Sequence, residues 1–291
     1  MYITKKRRLP DIVRGFLLLS HPIPVLMHIL AVTVFLFLAA WPHFVWNVIL
    51  LAIAAHAAMQ ISIAMINDYC DRSADALGKP DKPLSRGLVT PSEALVGGLL
   101  MMFVMILLLL PLNRLALLVS LLYLALGQGY NLGLKSTPLS GIVFALAMPL
   151  IPLYAFVAIG HVLPVLFWLV PIGALLGIAL NLANSLPDIE EDTAVGARTL
   201  AVVLGVKASF LLCSLLLAAS LLFIGLLTAF SFVPANFWIV VPLLSVTTIA
   251  IAALLLFFGP TKPVRTRKTY FYLVVCTCIM LAGGWLIGVI I

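Results

Sequence analysis

Asn67-Asp68-Tyr69-Cys70-Asp71-Arg72-Ser73-Ala74-Asp75 closes an apolar run that starts near residue 43, and Asn67, Asp71 and Asp75 recur every fourth position. The same spacing returns at Asn184, Asp188 and Asp192, again at the end of a long apolar run. On a helix, positions i, i+4 and i+8 fall on nearly one face. Acidic residues number only ten in 291, and carboxylates at membrane depth are costly enough to mark a site. If the two helices packed side by side, their polar stripes would face each other. Two converging carboxylate clusters suggest divalent metal, and Mg2+ in proteins is usually shared with phosphate oxygens.

Around these stripes the chain reads as membrane. Hydrophobic residues make up 64% of the sequence and charged ones 9%, with a mean hydropathy of +1.24. No soluble domain needs that much apolar surface. At about 20 residues per span, the sequence predicts an all-α, polytopic membrane protein with nine transmembrane helices. They fall near 14–41, 43–68, 91–111, 113–132, 138–160, 163–187, 206–230, 236–259 and 269–290. Their short connections predict one domain over 1–291 with no linker.

The net charge of +7 is not a nucleic-acid footprint, because its placement follows the spans. With the amino terminus in the cytoplasm, every Lys and Arg except Arg114 falls on the cytoplasmic side, and so does every acid. The positive-inside rule then puts the carboxyl terminus outside; in a prokaryote the membrane would be the cytoplasmic one. The basic start, Lys5-Lys6-Arg7-Arg8, is followed by a segment too long for a signal peptide and reads as a retained first span. Cys70, Cys213, Cys276 and Cys278 form no metal or disulfide framework and read as packing residues.

The cytoplasmic connections 69–90 and 188–205 are the long ones, and long connections in compact proteins are usually functional or disordered. In the first, Asn67, Asp71 and Asp75 would hold metal, with Asp68 close by. In the second, Asn181 and Asn184 lie inside an apolar span where an amide needs an interior partner. Pro187 would bend the helix or free a carbonyl before Asp188 and Asp192. Glu190 and Glu191 fall off the stripe and read as solvent-facing. Bases follow each motif: Lys79, Lys82 and Arg86 after the first, Arg198 after the second. Lys and Arg bind phosphate oxygens well, and a leaving diphosphate needs its charge neutralised. The excess from Lys262 to Lys268 is plain positive-inside bias. His21 and His28, seven apart, would line a cavity as acceptor ligands or a base, or stand as satisfied interior histidines. Tyr123, Tyr130 and Tyr154 offer π faces to a carbocation.

At these residues the chain resembles the UbiA-type intramembrane prenyltransferases. The resemblance rests on Asn67-Asp68-x2-Asp71-x3-Asp75, Lys82-Pro83-Leu84-x2-Gly87 and Asp188-x3-Asp192-x3-Gly196-x2-Thr199, with Tyr130 and Lys135 as a weaker motif. It implies nine transmembrane helices around a central cavity with the metal site at its cytoplasmic end. The implied reaction is Mg2+-dependent transfer of a prenyl group from an isoprenoid diphosphate to a lipophilic acceptor in the bilayer, with two ions. Carried over by motif, Asn67, Asp71, Asp188 and Asp192 would bind Mg2+, with Asp68 and Asp75 close by, while Lys82, Lys135 and Arg198 would contact the diphosphate. The first span departs from members that prenylate aromatic acids: it reads Ser20-His21-Pro22-Ile23-Pro24, with no base after Arg14 to pair an acceptor carboxylate. Two other readings stay open: a UbiA-type terpene cyclase that needs no acceptor, and a transporter with an acidic site. An acceptor-dependent product separates the first; acids deep in the spans would separate the second.

Overall fold

A computed structural model describes residues 7–259, 261 and 263–291; Lys5, Lys6 and Lys262 of the predicted basic segments lie outside them. All regular structure among the described residues is helical. The chain divides into two compact units, one of 1–33 and 45–132, the other of 34–44 and 133–291.

In the first unit, α1 (Leu9–Leu19) leads to α2 (Pro22–Ala40), whose second half belongs to the other unit. The single first span expected over 14–41 is therefore two helices. Pro22 has no N–H to continue α1, and the residue before a proline is disfavoured in helical backbone; His21 takes a left-handed φ of 48° at the break. Next come α3 (Trp46–Gly78), α4 (Pro91–Leu109) and α5 (Arg114–Asn131). The 33 residues of α3 reach about 50 Å, against about 30 Å of hydrocarbon. Its last turns, with the first acidic motif, thus project beyond the apolar layer. Small residues let its neighbours approach: Gly98 of α4 lies directly on Ile66 and Gly127 of α5 on Ile63. Thr90 caps α4 by accepting from the Glu93 N–H at 3.2 Å while Glu93 accepts from the Thr90 N–H at 2.8 Å. Arg7 locks that cap with two hydrogen bonds to Glu93, 2.6 and 3.0 Å.

The second unit holds α6 (Ser140–Ala147), α7 (Leu150–Ile159), α8 (Leu166–Ser185), α9 (Ile189–Ala194), α10 (Leu200–Ala229), α11 (Phe237–Phe257) and α12 (Val264–Ile290). The span expected over 138–160 is α6 and α7, interrupted before Pro149. α8 runs against α6, where Gly177 touches the Phe144 backbone and leaves no room for a side chain. Thr199 caps α10 on the Val202 N–H, and Gly205, at φ 77°, kinks it one turn later.

Eight helical segments among the described residues are long and apolar enough to cross a membrane. The ninth expected segment, 113–132, is helix α5, but its ends, Arg114 and the run from Gln128 to Asn131, dilute its apolar character.

Candidate functional site: two acid-and-base loops

In the first unit the acidic motif sits on unbroken helix, so Asn67, Asp71 and Asp75 share the expected face of α3. The tightest contacts run along its edge. Asp68 and Asp75 are seven residues apart, two turns and within about 20°, and both meet one lysine. The Lys82 ammonium donates to Asp68 Oδ1 at 2.7 Å and to Asp75 Oδ2 at 2.8 Å. The lysine gets there because the chain after α3 folds back in tight turns: the Lys79 N–H donates to the Asp75 carbonyl at 2.7 Å and the Arg86 N–H returns to the Lys82 carbonyl at 2.9 Å. Gly87, at φ 69°, takes the left-handed conformation that closes the loop.

Asp68 is 1% exposed. Its Oδ1 also pairs with His21 Nε2 at 3.0 Å, and its Oδ2 is buried with no hydrogen-bond partner. Burial acts to lower the Lys82 pKa, but Asp68 and then Asp75 outweigh it and hold the ammonium above its ordinary range. Asn67 is half-buried and donates to Asn131 Oδ1 at 2.9 Å; Asn131 in turn donates to the Ile63 carbonyl at 2.9 Å. Asp71 and Lys79 are half-buried and Arg86 is exposed. Tyr130, half-buried on α5, neighbours Asn131 in sequence.

The second motif keeps the spacing but not the backbone. Asn184 is exposed near the end of α8, Asp188 ends a 3-10 turn over Leu186–Asp188, and Asp192 lies on the short α9. A 3-10 turn advances 120° per residue against 100° for an α-helix, so three residues rotate α9 by about 60°. The shared face expected from the spacing is thus turned between Asn184 and Asp192, at the bend expected from Pro187, which lacks an N–H. The turn is held by Arg267 of α12. Its Nη1 donates to the Leu186 carbonyl at 3.1 Å and to both Glu190 carboxylate oxygens, 2.7 and 2.8 Å. Arg267 is 7% exposed, so it is a buried clamp and not part of a general positive-inside excess, and Glu190, though exposed, is its partner.

The bases of this unit meet at the backbone. The Arg198 N–H donates to the Ser136 carbonyl at 2.9 Å, and the Ala197 N–H to the Asp192 carbonyl at 2.9 Å. This brings the segment with Lys135, half-buried, beside the segment with Arg198, exposed. Asn181 is fully buried and accepts from the Ser140 hydroxyl at 3.2 Å; its Nδ2 has no hydrogen-bond partner. Sequence reasoning missed Asn131, Arg267 and Ser140 as partners of the motif residues; the available signal was polar side chains inside or beside apolar runs.

The donors suit a hard divalent cation. They are carboxylate and amide oxygens, and the buried, partnerless Asp68 Oδ2 needs a cation or a donor. Among the described residues, no group of three or more His, Cys, Asp or Glu side chains forms a ready cage. A cation held by these motifs would therefore share its coordination with water or ligand oxygens.

These features define a polytopic membrane protein with two acid-and-base loops, one in each unit. The UbiA prenyltransferase family model matches residues 27–275, and the chain belongs to that family. It is 35% identical over 147 residues to digeranylgeranylglyceryl phosphate synthase of Natronomonas pharaonis, covering 50% of this chain and 52% of that protein. It is 33% identical over 171 residues to 4-hydroxybenzoate octaprenyltransferase of Nitrosomonas europaea, covering 56% and 57%. The chain spans about half the length of the curated relatives it matches. A UbiA homolog from Archaeoglobus fulgidus, solved bound to GPP and Mg2+, superposes with a TM-score of 0.73 over 93% of this chain and 98% of that one. At 18% identity that likeness shows the fold.

Proposed function

We propose that this protein transfers a prenyl group from an isoprenoid diphosphate to a lipophilic acceptor within the bilayer, using Mg2+. The observation that carries the reading is the end of α3: two carboxylates share one lysine, and a buried carboxylate oxygen lacks a partner, at the mouth of an apolar span. Family membership and the relatives' names support it.

Asn67, Asp68, Asp71 and Asp75 on one motif and Asn184, Asp188 and Asp192 on the other would hold two ions. When bound, Mg2+ offsets the charge that builds on the departing diphosphate. Lys82, Lys135 and Arg198 donate to phosphate oxygens, with Lys79 and Arg86 on the same loop as Lys82. Lys82 neutralises Asp68 and Asp75; were those carboxylates to hold a metal ion instead, its ammonium would be available to a phosphate oxygen. Loss of diphosphate from the allylic carbon leaves a delocalised cation, which the acceptor captures; the apolar helices keep water from capturing it first. The sequence supports one membrane domain over 1–291, amino terminus and both motif loops in the cytoplasm, carboxyl terminus outside.

The test incubates membranes containing the protein with radiolabelled geranyl, farnesyl and geranylgeranyl diphosphates, quinone precursors or glycerol-phosphate lipids, and Mg2+ or EDTA. Mg2+-dependent label in an acceptor, lost in Asp71→Ala and Asp188→Ala, is the expected result. Label released as hydrocarbon without an acceptor would make the protein a cyclase. No consumption of any diphosphate would overturn the reading.

A further inference from the structure

The contact between α3 and α5 decides which atom of Asn67 the first motif presents. Gly127 of α5 lies directly on Ile63 of α3, with no side chain of its own to hold the helices apart. One turn further along, each helix carries an asparagine, Asn131 on α5 and Asn67 on α3. Asn131 is 3% exposed. Its Nδ2 donates to the Ile63 carbonyl at 2.9 Å and to Gln128 Oε1 at 3.1 Å. Its Oδ1 accepts from Asn67 Nδ2 at 2.9 Å.

These bonds fix two amides in order. A carboxamide turned end for end keeps its shape and exchanges its donor for its acceptor, so its orientation must be set by a group that cannot turn. Here that group is the Ile63 carbonyl, a backbone oxygen that accepts and never donates. The Asn131 atom facing it is therefore nitrogen. Both hydrogens of that nitrogen are engaged, one on Ile63 and one on Gln128, and Asn131 meets Asn67 with its oxygen. Asn67 must answer with its own nitrogen. The Asn67 oxygen then lies on the other arm of the amide, directed away from Asn131.

For a cation the difference between the two arms is large. Mg2+ takes oxygen ligands, whereas the amide NH2 offers only donor hydrogens. We propose that Asn131 is a positioning residue for the metal site: it holds Asn67 with its oxygen turned to the cation that Asp71 also binds. This rests on the Mg2+ reading above. Without Asn131 the Asn67 amide is released to turn, and the orientation that faces the cation with hydrogens competes with the one that ligates it. Partners that orient a metal ligand in this way are worth about tenfold to a hundredfold in metal affinity.

The test titrates Mn2+, which takes the same carboxylate and carbonyl oxygens, into the full-length protein in detergent and reads the free ion by electron paramagnetic resonance. Asn131→Leu removes the acceptor and should weaken binding about tenfold or more. Asn131→Asp also gives up the amide bond to the Ile63 carbonyl but keeps an oxygen for Asn67 Nδ2, and should recover the affinity. Asn67→Ala, alone and combined with Asn131→Leu, separates positioning from general loosening: once Asn67 is gone, the second substitution should add nothing. Binding by Asn131→Leu within about twofold of wild type, or losses that multiply in the double variant, would overturn the proposal. An Asn131→Asp protein that binds as weakly as Asn67→Ala overturns it without reference to the leucine variant. So does a wild type that binds no Mn2+. The transferase reading falls on a different result, a wild type that consumes no isoprenoid diphosphate.

Discussion

The two acidic motifs have one spacing and two constructions. At the first, α3 runs unbroken through Asp75 and a lysine from the next loop folds back to hold two carboxylates at 2.7 and 2.8 Å. At the second, Pro187 tightens the backbone into a 3-10 turn, and a buried arginine from α12 holds that turn through a carbonyl and Glu190. The first motif places its base directly on the acids that would take the metal. The buried base of the second unit, Arg267, holds the turn beneath its motif through the Leu186 carbonyl and Glu190.

This contrast can be broken by substitution. The largest effect belongs to the acids themselves: Asp71→Ala and Asp188→Ala should each lower Mg2+-dependent turnover by at least about a hundredfold, read as product per unit of folded protein. A motif whose loss costs less than tenfold is not part of the reaction. Next is Lys82→Met, which leaves Asp68, 1% exposed, with His21 as its remaining partner. Breaking a fully buried pair costs about 3–5 kcal/mol; with 22% of the Lys82 side chain exposed, about 2 kcal/mol is expected, measured by thermal unfolding in detergent. Arg267→Leu should cost less, about 1 kcal/mol, because water replaces the arginine at Glu190, whose side chain is 57% exposed. Equal or reversed costs for these two would contradict the division of roles.

Protonation sharpens the same point. The Lys82 pKa is raised, so its contribution to stability is complete below the ordinary lysine value and fades only as pH rises through the higher folded value. The stability gap between wild type and Lys82→Met should therefore stay flat from pH 6 to about 10 and shrink above that. A gap that closes near neutrality would mean the ammonium is not held as described. The smallest effect is expected from Pro187→Ala. It returns an N–H to the helix and should change stability by no more than about 1 kcal/mol, while weakening Mg2+ activation if the 3-10 rotation aims Asp188.

What the sequence made legible was whatever depends on local period. The apolar runs gave the helices, and the spacing of Asn67, Asp71 and Asp75 gave a real stripe because nothing interrupts α3. Pro187 was readable as a break, yet the rotation it causes was not, since that depends on how the turn is capped. Lys82 was singled out as a phosphate ligand; its bond to two carboxylates depends on a loop folding back, which no spacing encodes. Arg267 was hidden among bases that membrane topology already explains. His21 stood before a proline, but its pairing with Asp68 joins residues 47 apart. Asn181 needed an interior partner, and only the packing of α6 on α8 names Ser140.

We propose that the two differently built motifs serve one Mg2+-dependent reaction. A double-mutant cycle on Asp71→Asn and Asp188→Asn, read as kcat/KM for the diphosphate across a Mg2+ titration, tests it most directly. Residues that act as a unit are strongly non-additive, so the double variant should be little worse than the poorer single one, with Mg2+ activation weakened in both singles. Losses that multiply, with Mg2+ activation altered by one motif alone, would mean that the two motifs do not act on one reaction.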